Sequence, residues 1–465
     1  MRLTADPAAL STARALLTET AARRAASGTH ALDARGWDIY LFAAVALMPL
    51  VASSLPGQLA WVDLVNGAAL ALFAVLIVER RLAFSLPLLG PVLVAALGSV
   101  LAVAGANSVP ASLLALTQDA YLYAWMVLLV ALLRRRGDLA RFRLAWVAAA
   151  VGVALACVFE WATHPGASLG ALVSARGYRA MAAFGNPNLC ANYLLLGAFV
   201  LLSLEGSIGR RVLVPGLGAL GLALLTTKSN GGLLALALGL AVWALVRSRS
   251  RGAPTARLVG VLSLSLAAAL AVVWIGQVTG GESTWLRSLE EHTLLGRVEH
   301  SSASREHIWQ RLERTIVQAP MGIGPANSSA QSLDVSERER GGSLQSKEAH
   351  SDYIGYAVER GPLGLLGLLA GIVQLGALVL RGRRGIEERC AASPAGRVKR
   401  GSDAGSLHAA LAGGMAALLV QSLVLEQLHF RHLWAFVALI CAATAPAEVE
   451  VASPAAGRAP GSELA

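Results

Sequence analysis

Apolar runs of about twenty residues, each closed by charge or by turn-forming residues, recur along almost the whole chain. A bilayer core about 30 Å thick needs roughly 20 apolar residues in a helix. The pattern therefore predicts about twelve spans, near 37–55, 59–78, 84–106, 112–133, 144–162, 188–205, 212–227, 231–246, 258–279, 361–380, 405–425 and 429–446. The first 36 residues are too long and polar for the leading region of a cleaved signal, so the first run reads as a retained anchor. The order that follows is a cytoplasmic segment over 1–36, nine transmembrane helices over 37–279 and a large extracytoplasmic helical loop over 280–360. Three further spans over 361–446 and a disordered Ala/Pro/Gly/Ser-rich tail over 447–465 complete it. Internal repeats are not evident, which weakens transporter folds built from duplicated halves. The fold class expected is an all-α polytopic membrane protein.

Composition sharpens this reading. The 465 residues are 55% hydrophobic and 15% charged, with a mean hydropathy of +0.58, against about 25% charged in soluble domains. Small soluble enzymes and disulfide-built secreted scaffolds are excluded. The formal charge of +10 orients the chain rather than marking a nucleic-acid binder, because cytoplasmic loops carry the excess of Lys and Arg. Alternate loops hold 20 of the cations, at Arg80 and Arg81, Arg134 to Arg143, Arg210 and Arg211, Arg247 to Arg257 and Arg381 to Arg400. The short opposite loops hold only 4, namely Arg176, Arg179, Lys228 and Arg431. Both termini are predicted inside, and the 280–360 loop outside. Its segment 304–318 places Ile308, Leu312 and Ile316 on one face before Pro320, an amphipathic helix expected along the membrane surface or a cleft mouth. Cys157, Cys190, Cys390 and Cys441 fall in predicted spans or in the cytosol, so no extracytoplasmic disulfide or cysteine metal site is expected.

Three outer-side constellations could carry chemistry. In RGYRAMAAFGNPNLC, Asn188 can cap the helix that Pro187 opens. With Arg176, Arg179 and Asn186 beside it, that helix N-terminus makes an anion site. The same residues read equally as a capped helix with two arginines reaching lipid phosphates. Arg305 and Trp309 precede APMGIGPAN, where Gly322 and Gly324 form a rigid turn with exposed backbone; a solvated charge on an amphipathic helix explains them too. In AHSDYIGYAVERGPLG, His350 sits where the loop re-enters the membrane, with Tyr353, Ile354, Ala357 and Val358 on one face before Gly361 and Pro362 bend the chain. That imidazole can exchange protons near neutral pH, or simply hydrogen-bond at the interface. Asp119 and Glu426 are ionisable groups within spans, and either can have a buried partner instead of a functional role. The outer loops carry no Asp-x-Asp or His-Glu-x-x-His, and no Walker loop or dinucleotide fingerprint follows a strand.

In this order and on this side of the membrane, the three segments resemble the O-antigen ligase and polymerase superfamily. TTKSNGG over 226–232 and HFRHLW over 429–434 fall at that family's next span junctions, and the likeness covers roughly 110–445. Two departures stand out: Ser351 follows the loop-ending His where the family has Asn, and Ser229, Asn230 and Gly231 stand where it has Ser-Arg-Gly. The resemblance implies a metal-independent glycosyltransferase of the GT-C-like membrane class, without cofactor. It would act on the periplasmic side of the bacterial inner membrane, with the membrane lipids as its medium. The implied donor is an undecaprenyl pyrophosphate-linked glycan; the acceptor is lipid A-core for a ligase, a nascent polysaccharide for a polymerase, or a protein hydroxyl. His350, Arg305 and Arg179 are its implied catalytic residues, with Arg176, Asn186, Asn188, Trp309, Gly322, Gly324 and Tyr353 around the pyrophosphate and glycan. A compact outer loop favours ligase over polymerase. A twelve-span transporter is the more distant alternative; it would be expected to have a large central cytoplasmic loop, whereas the largest loop here is late and outside.

Overall fold

The computed structural model of the chain describes residues 34–51, 60–79, 84–135, 138–174, 177–251, 259–264, 308–328, 349–392 and 400–445. Among these there is no strand. The helices are α1 (Ala34–Leu47), α2 (Trp61–Val78), α3 (Leu89–Ala102), α4 (Val109–Leu133), α5 (Asp138–Thr163), α6 (Leu169–Val173), α7 (Pro187–Leu202), α8 (Arg210–Thr227) and α9 (Asn230–Arg251). They continue as α10 (308–318), α11 (Asp352–Arg381), α12 (Arg383–Ala392), α13 (Arg400–Gln421) and α14 (Arg431–Thr444).

Eleven of the twelve predicted runs coincide with a helix, and the run at 258–279 is described only over 259–264. Seven helices are long and apolar enough to cross a membrane: α2, α4, α5, α8, α9, α11 and α13. The apolar helices α1, α3, α7 and α14 are shorter. Composition and length thus support a multi-pass membrane protein. The boundary expected at residue 361 moves, because α11 begins at Asp352 and bends at Gly361 instead of starting there.

Helix α7 is the centre of the bundle. Every residue from Cys190 to Leu202 is buried, as expected for a helix apolar all round, and it packs against α5, α8, α9 and α13. Two close helix crossings use missing side chains. A Cβ on Gly98 of α3 would lie 2.4 Å from Gly364 N of α11, and one on Gly413 of α13 would lie 2.7 Å from Gly239 O of α9. Small residues at such crossings let backbones approach where no hydrophobic drive separates helix from lipid.

Two charges within the bundle, Arg360 and Asp119, are paired. Arg360 of α11 donates to Asp119 Oδ2 of α4 at 2.5 Å and to Ser99 Oγ of α3 at 2.8 Å, with its guanidinium 4.4 Å from the Tyr356 ring. Asp119 therefore has the buried partner that its sequence position allowed. The apolar face of α10 turns onto protein: Ile308 and Leu312 bury against Ile323, Ala349 and Val358, with Trp309, Ile316 and Ile354 at the edge. The expected face lies on the 319–324 and 349–358 segments, which offer it apolar partners.

Candidate functional site

The Arg179 loop is built from the ends of three helices. The last carbonyls of an α-helix have no partner within it, and at the end of α8 the loop supplies them. Ala180 N donates to Thr226 O at 3.0 Å and Arg179 Nε to Thr227 O at 2.8 Å. A cation at a helix C-terminus is also favoured by the helix dipole. Arg179 Nη2 donates to Asn188 Oδ1 at 2.7 Å, in the first turn of α7. Two of the three guanidinium nitrogens are thereby aimed by fixed acceptors. The cap of α7 is Asn186 rather than Asn188: Asn186 Oδ1 accepts from Asn188 N at 2.8 Å and Leu189 N at 3.4 Å, with Pro187 opening the helix. This leaves the Asn188 side chain available to Arg179.

Glu160, near the end of α5, holds the same loop. Its Oε2 accepts from Met181 N at 3.2 Å and Ala182 N at 2.7 Å, and Tyr178 Oη donates to its Oε1. Ala182 sits at φ 45°, a region that costs a non-glycine residue roughly 1–2 kcal/mol, and the carboxylate fixes the amides around it. The bond to Glu160 is the main reason the Tyr178 phenol is pushed up to about 12. The ring of His164 stacks on Tyr178 at 4.0 Å.

Lys228 is a second cation at this corner. It terminates α8 in the left-handed region at φ 51°, a place usually taken by Gly or Asn, and is only 1% exposed. A Cβ on Gly177 would stand 3.3 Å from Lys228 Nζ, so the ammonium lies against the Arg179 loop. In the sequence Lys228 is evident only as an outer-loop charge. Its signal was a lysine between apolar runs that no positive-inside loop explains.

A second candidate region centres on His350, at φ 54° and half-buried, next to the Ser351 N-cap of α11. The backbone on either side of it is tethered. Trp309 Nε1 donates to Ala349 O at 2.9 Å, and Asp352 N donates to Ser422 O at 3.0 Å. Tyr353 Oη donates to Leu419 O at 3.2 Å. Gly322 and Gly324 lie inward: Ile323 N and Gly324 N donate to Val358 O and Glu359 O at 3.0 Å each. Those carbonyls are freed by the bend at Gly361, whose φ 63° and ψ −168° are nearly confined to glycine. The turn expected to expose its backbone is thus buried and closes the first part of α11. Arg176 and Arg305 lie outside the described residues.

The loop 422–430 joins the two regions. On one side, a Cβ on Gly231 would lie 2.7 Å from Val424 Cγ2; on the other, one on Gly355 would lie 3.3 Å from Glu426 Oε1. Asp352 Oδ1 accepts from Gln427 N at 3.0 Å and Leu428 N at 3.3 Å. Beneath it, Asn192 of α7 donates to Gln421 and Gln427 at 2.8 and 2.6 Å, and its Oδ1 lies 2.6 Å from His432 Nε2. Arg431 donates to both oxygens of Asp63, which also accepts from Tyr121 Oη at 2.8 Å and Ala60 N at 2.8 Å. A chain of bonds therefore runs from Arg179 through α7 and Gln427 to the start of α11. Glu160 and Asn192 had a readable signal, since each is a polar group inside an apolar run; their partners did not.

Among the described residues, no group of three or more His, Cys, Asp or Glu side chains is arranged to hold a metal ion. Residues 215–369, which span Lys228, Trp309 and His350, match the family described as O-antigen ligase. Comparison with curated proteins returned no match.

Proposed function

Membership of the O-antigen ligase and polymerase superfamily, which that match supports, is the ground on which we propose that this protein transfers a glycan from a lipid-linked pyrophosphate donor to an acceptor hydroxyl. The observation that carries the proposal is the Arg179 guanidinium, aimed by Thr227 O and Asn188 Oδ1 at the N-terminus of α7 with buried Lys228 alongside. Attack on the anomeric carbon places growing negative charge on the departing pyrophosphate. Fixed guanidinium and ammonium groups in a low-dielectric corner stabilise that charge without reorganising. The amides that open α7 add to the same field, and Arg305 supplies a further cation. No metal is required by this scheme.

His350 accepts the proton of the acceptor hydroxyl or orients that hydroxyl, and the displacement is single-step with inversion. Trp309 positions His350 through Ala349 O. The donor lipid is undecaprenyl pyrophosphate, and the reaction faces the periplasm from the inner membrane. Lipid A-core is the acceptor of first choice, which makes the protein an O-antigen ligase; polymerisation of repeat units and transfer to protein hydroxyls use the same constellation. Gel display of surface polysaccharide from a deletion strain separates them. Loss of a ligase leaves bare core with long chains on the carrier, and loss of a polymerase leaves core bearing a single repeat. An unchanged profile would contradict both. Isolation of a covalent glycosyl-enzyme would contradict the single step.

A further inference from the structure

The structure assigns Cys157 and Cys190 as a disulfide-forming pair that staples α5 to α7 around the Arg179 loop. Their sulfurs are 3.3 Å apart, and both side chains are fully buried. Both cysteines fall in apolar runs, from which no extracytoplasmic disulfide is expected; the helix packing brings them together across 33 residues. A disulfide bond is about 2.05 Å long, so a shift of little more than 1 Å joins them. Position gives the pair its meaning. Cys157 lies one turn before Glu160 on α5, and Cys190 lies one turn after Asn186 on α7. The ring they would close contains Glu160, Tyr178, Arg179, Asn186 and Asn188, the side chains that order the Arg179 loop, while the remaining acceptor of the guanidinium, Thr227 O, comes from α8. The short loop it encloses belongs to the cation-poor face of the chain, where an oxidising compartment is expected.

The chemistry is thiol–disulfide exchange with a disulfide-bearing carrier. The Cys157 thiolate attacks one sulfur of the carrier and releases the other as a thiol. The Cys190 thiolate then attacks the mixed disulfide, forms the Cys157–Cys190 bond and releases the second carrier thiol. The pair gives up two protons and two electrons, and the carrier's disulfide becomes two thiols. Because both sulfurs are fully buried, exchange takes place before α5 and α7 finish packing, after which the bond is shielded. This assignment holds whatever group the protein transfers.

The test uses the full-length protein in native membranes, quenched in acid, denatured in N-ethylmaleimide without reductant, digested and weighed. The expected result is a joined pair of peptides containing Cys157 and Cys190 that reductant separates, with Cys441 alkylated throughout. In Cys157→Ser protein, Cys190 should alkylate fully without reductant. The assignment is overturned if Cys157 and Cys190 both carry maleimide in the unreduced wild type, which would make them packing thiols. It is equally overturned if Cys190 stays blocked in Cys157→Ser. Should that variant fail to insert, the wild-type result alone decides.

Discussion

The two regions of the proposed site are held by different physics. The Arg179 loop is fixed by polar side chains reaching into backbone: Glu160 to two amides and a phenol, Asn188 to the guanidinium, and Arg179 itself to a helix end. The His350 region adds to three side-chain tethers, from Trp309, Tyr353 and Asp352, a frame of backbone bonded to backbone and glycines with no room for a side chain. The first should tolerate changes of volume and fail on loss of a polar group; the second should do the reverse. Both hang on the 422–430 loop, so damage to that loop should not discriminate.

The largest effect is therefore expected where both depend on one anchor. Asp63→Ala leaves Arg431 without its buried partner at the start of α14. Breaking a buried pair costs about 3–5 kcal/mol, and thermal unfolding in detergent should show a large fall in Tm with loss of activity. Gly324→Ala attacks only the His350 region. Its Cβ would stand 2.5 Å from Ala106 Cβ and 2.7 Å from Ser112 Oγ at φ +87°. Overpacking and backbone strain together should cost about 3 kcal/mol, and a normal Tm would show that the region is looser than its contacts imply. Glu160→Ala attacks only the Arg179 loop. Losing a charged acceptor shared by two amides should cost about 2 kcal/mol of stability, with donor turnover falling more than stability does.

Tyr178→Phe is the smallest change, on the order of 1 kcal/mol. It also has a pH signature. The phenol's folded pKa is raised to about 12, above an ordinary value of about 10. Its contribution is therefore fully present below about pH 10 and lost only as pH rises through the folded value. The stability difference between wild type and Tyr178→Phe should stay flat from about pH 6 to about pH 9; a slope in that window would mean that the Glu160 bond is not what raises the phenol.

Much of the scaffold was legible because it depends on local signals. The apolar run over 112–133 marks α4, and Pro187 marks the opening of α7, although its cap is Asn186 and not Asn188 as expected. The Gly361-Pro362 bend was readable as well. The first turns of α11 were assigned to the outer loop because Asp352 to Arg360 is short and mixed in polarity, and its helical state depends on the 322–324 backbone, which is remote in sequence. The site divides in the same way. Arg179 and His350 stand out as a charge and an imidazole at predicted span ends. Lys228, Glu160 and the Asn192–Gln427–Asp352 chain acquire their roles only when α5, α7, α8 and α13 pack, and no spacing rule encodes that. The Cys157–Cys190 contact belongs with them.

The central claim is that a pyrophosphate-linked donor reacts between these two regions. It is tested most directly by donor turnover in membranes containing equal amounts of inserted wild type, Arg179→Ala, Arg305→Ala and His350→Ala. Removing a group that stabilises the leaving charge or moves the acceptor proton should lower turnover on the order of 100-fold or more in each variant, with insertion and Tm close to wild type for His350→Ala. Near-normal turnover in all three would contradict the account.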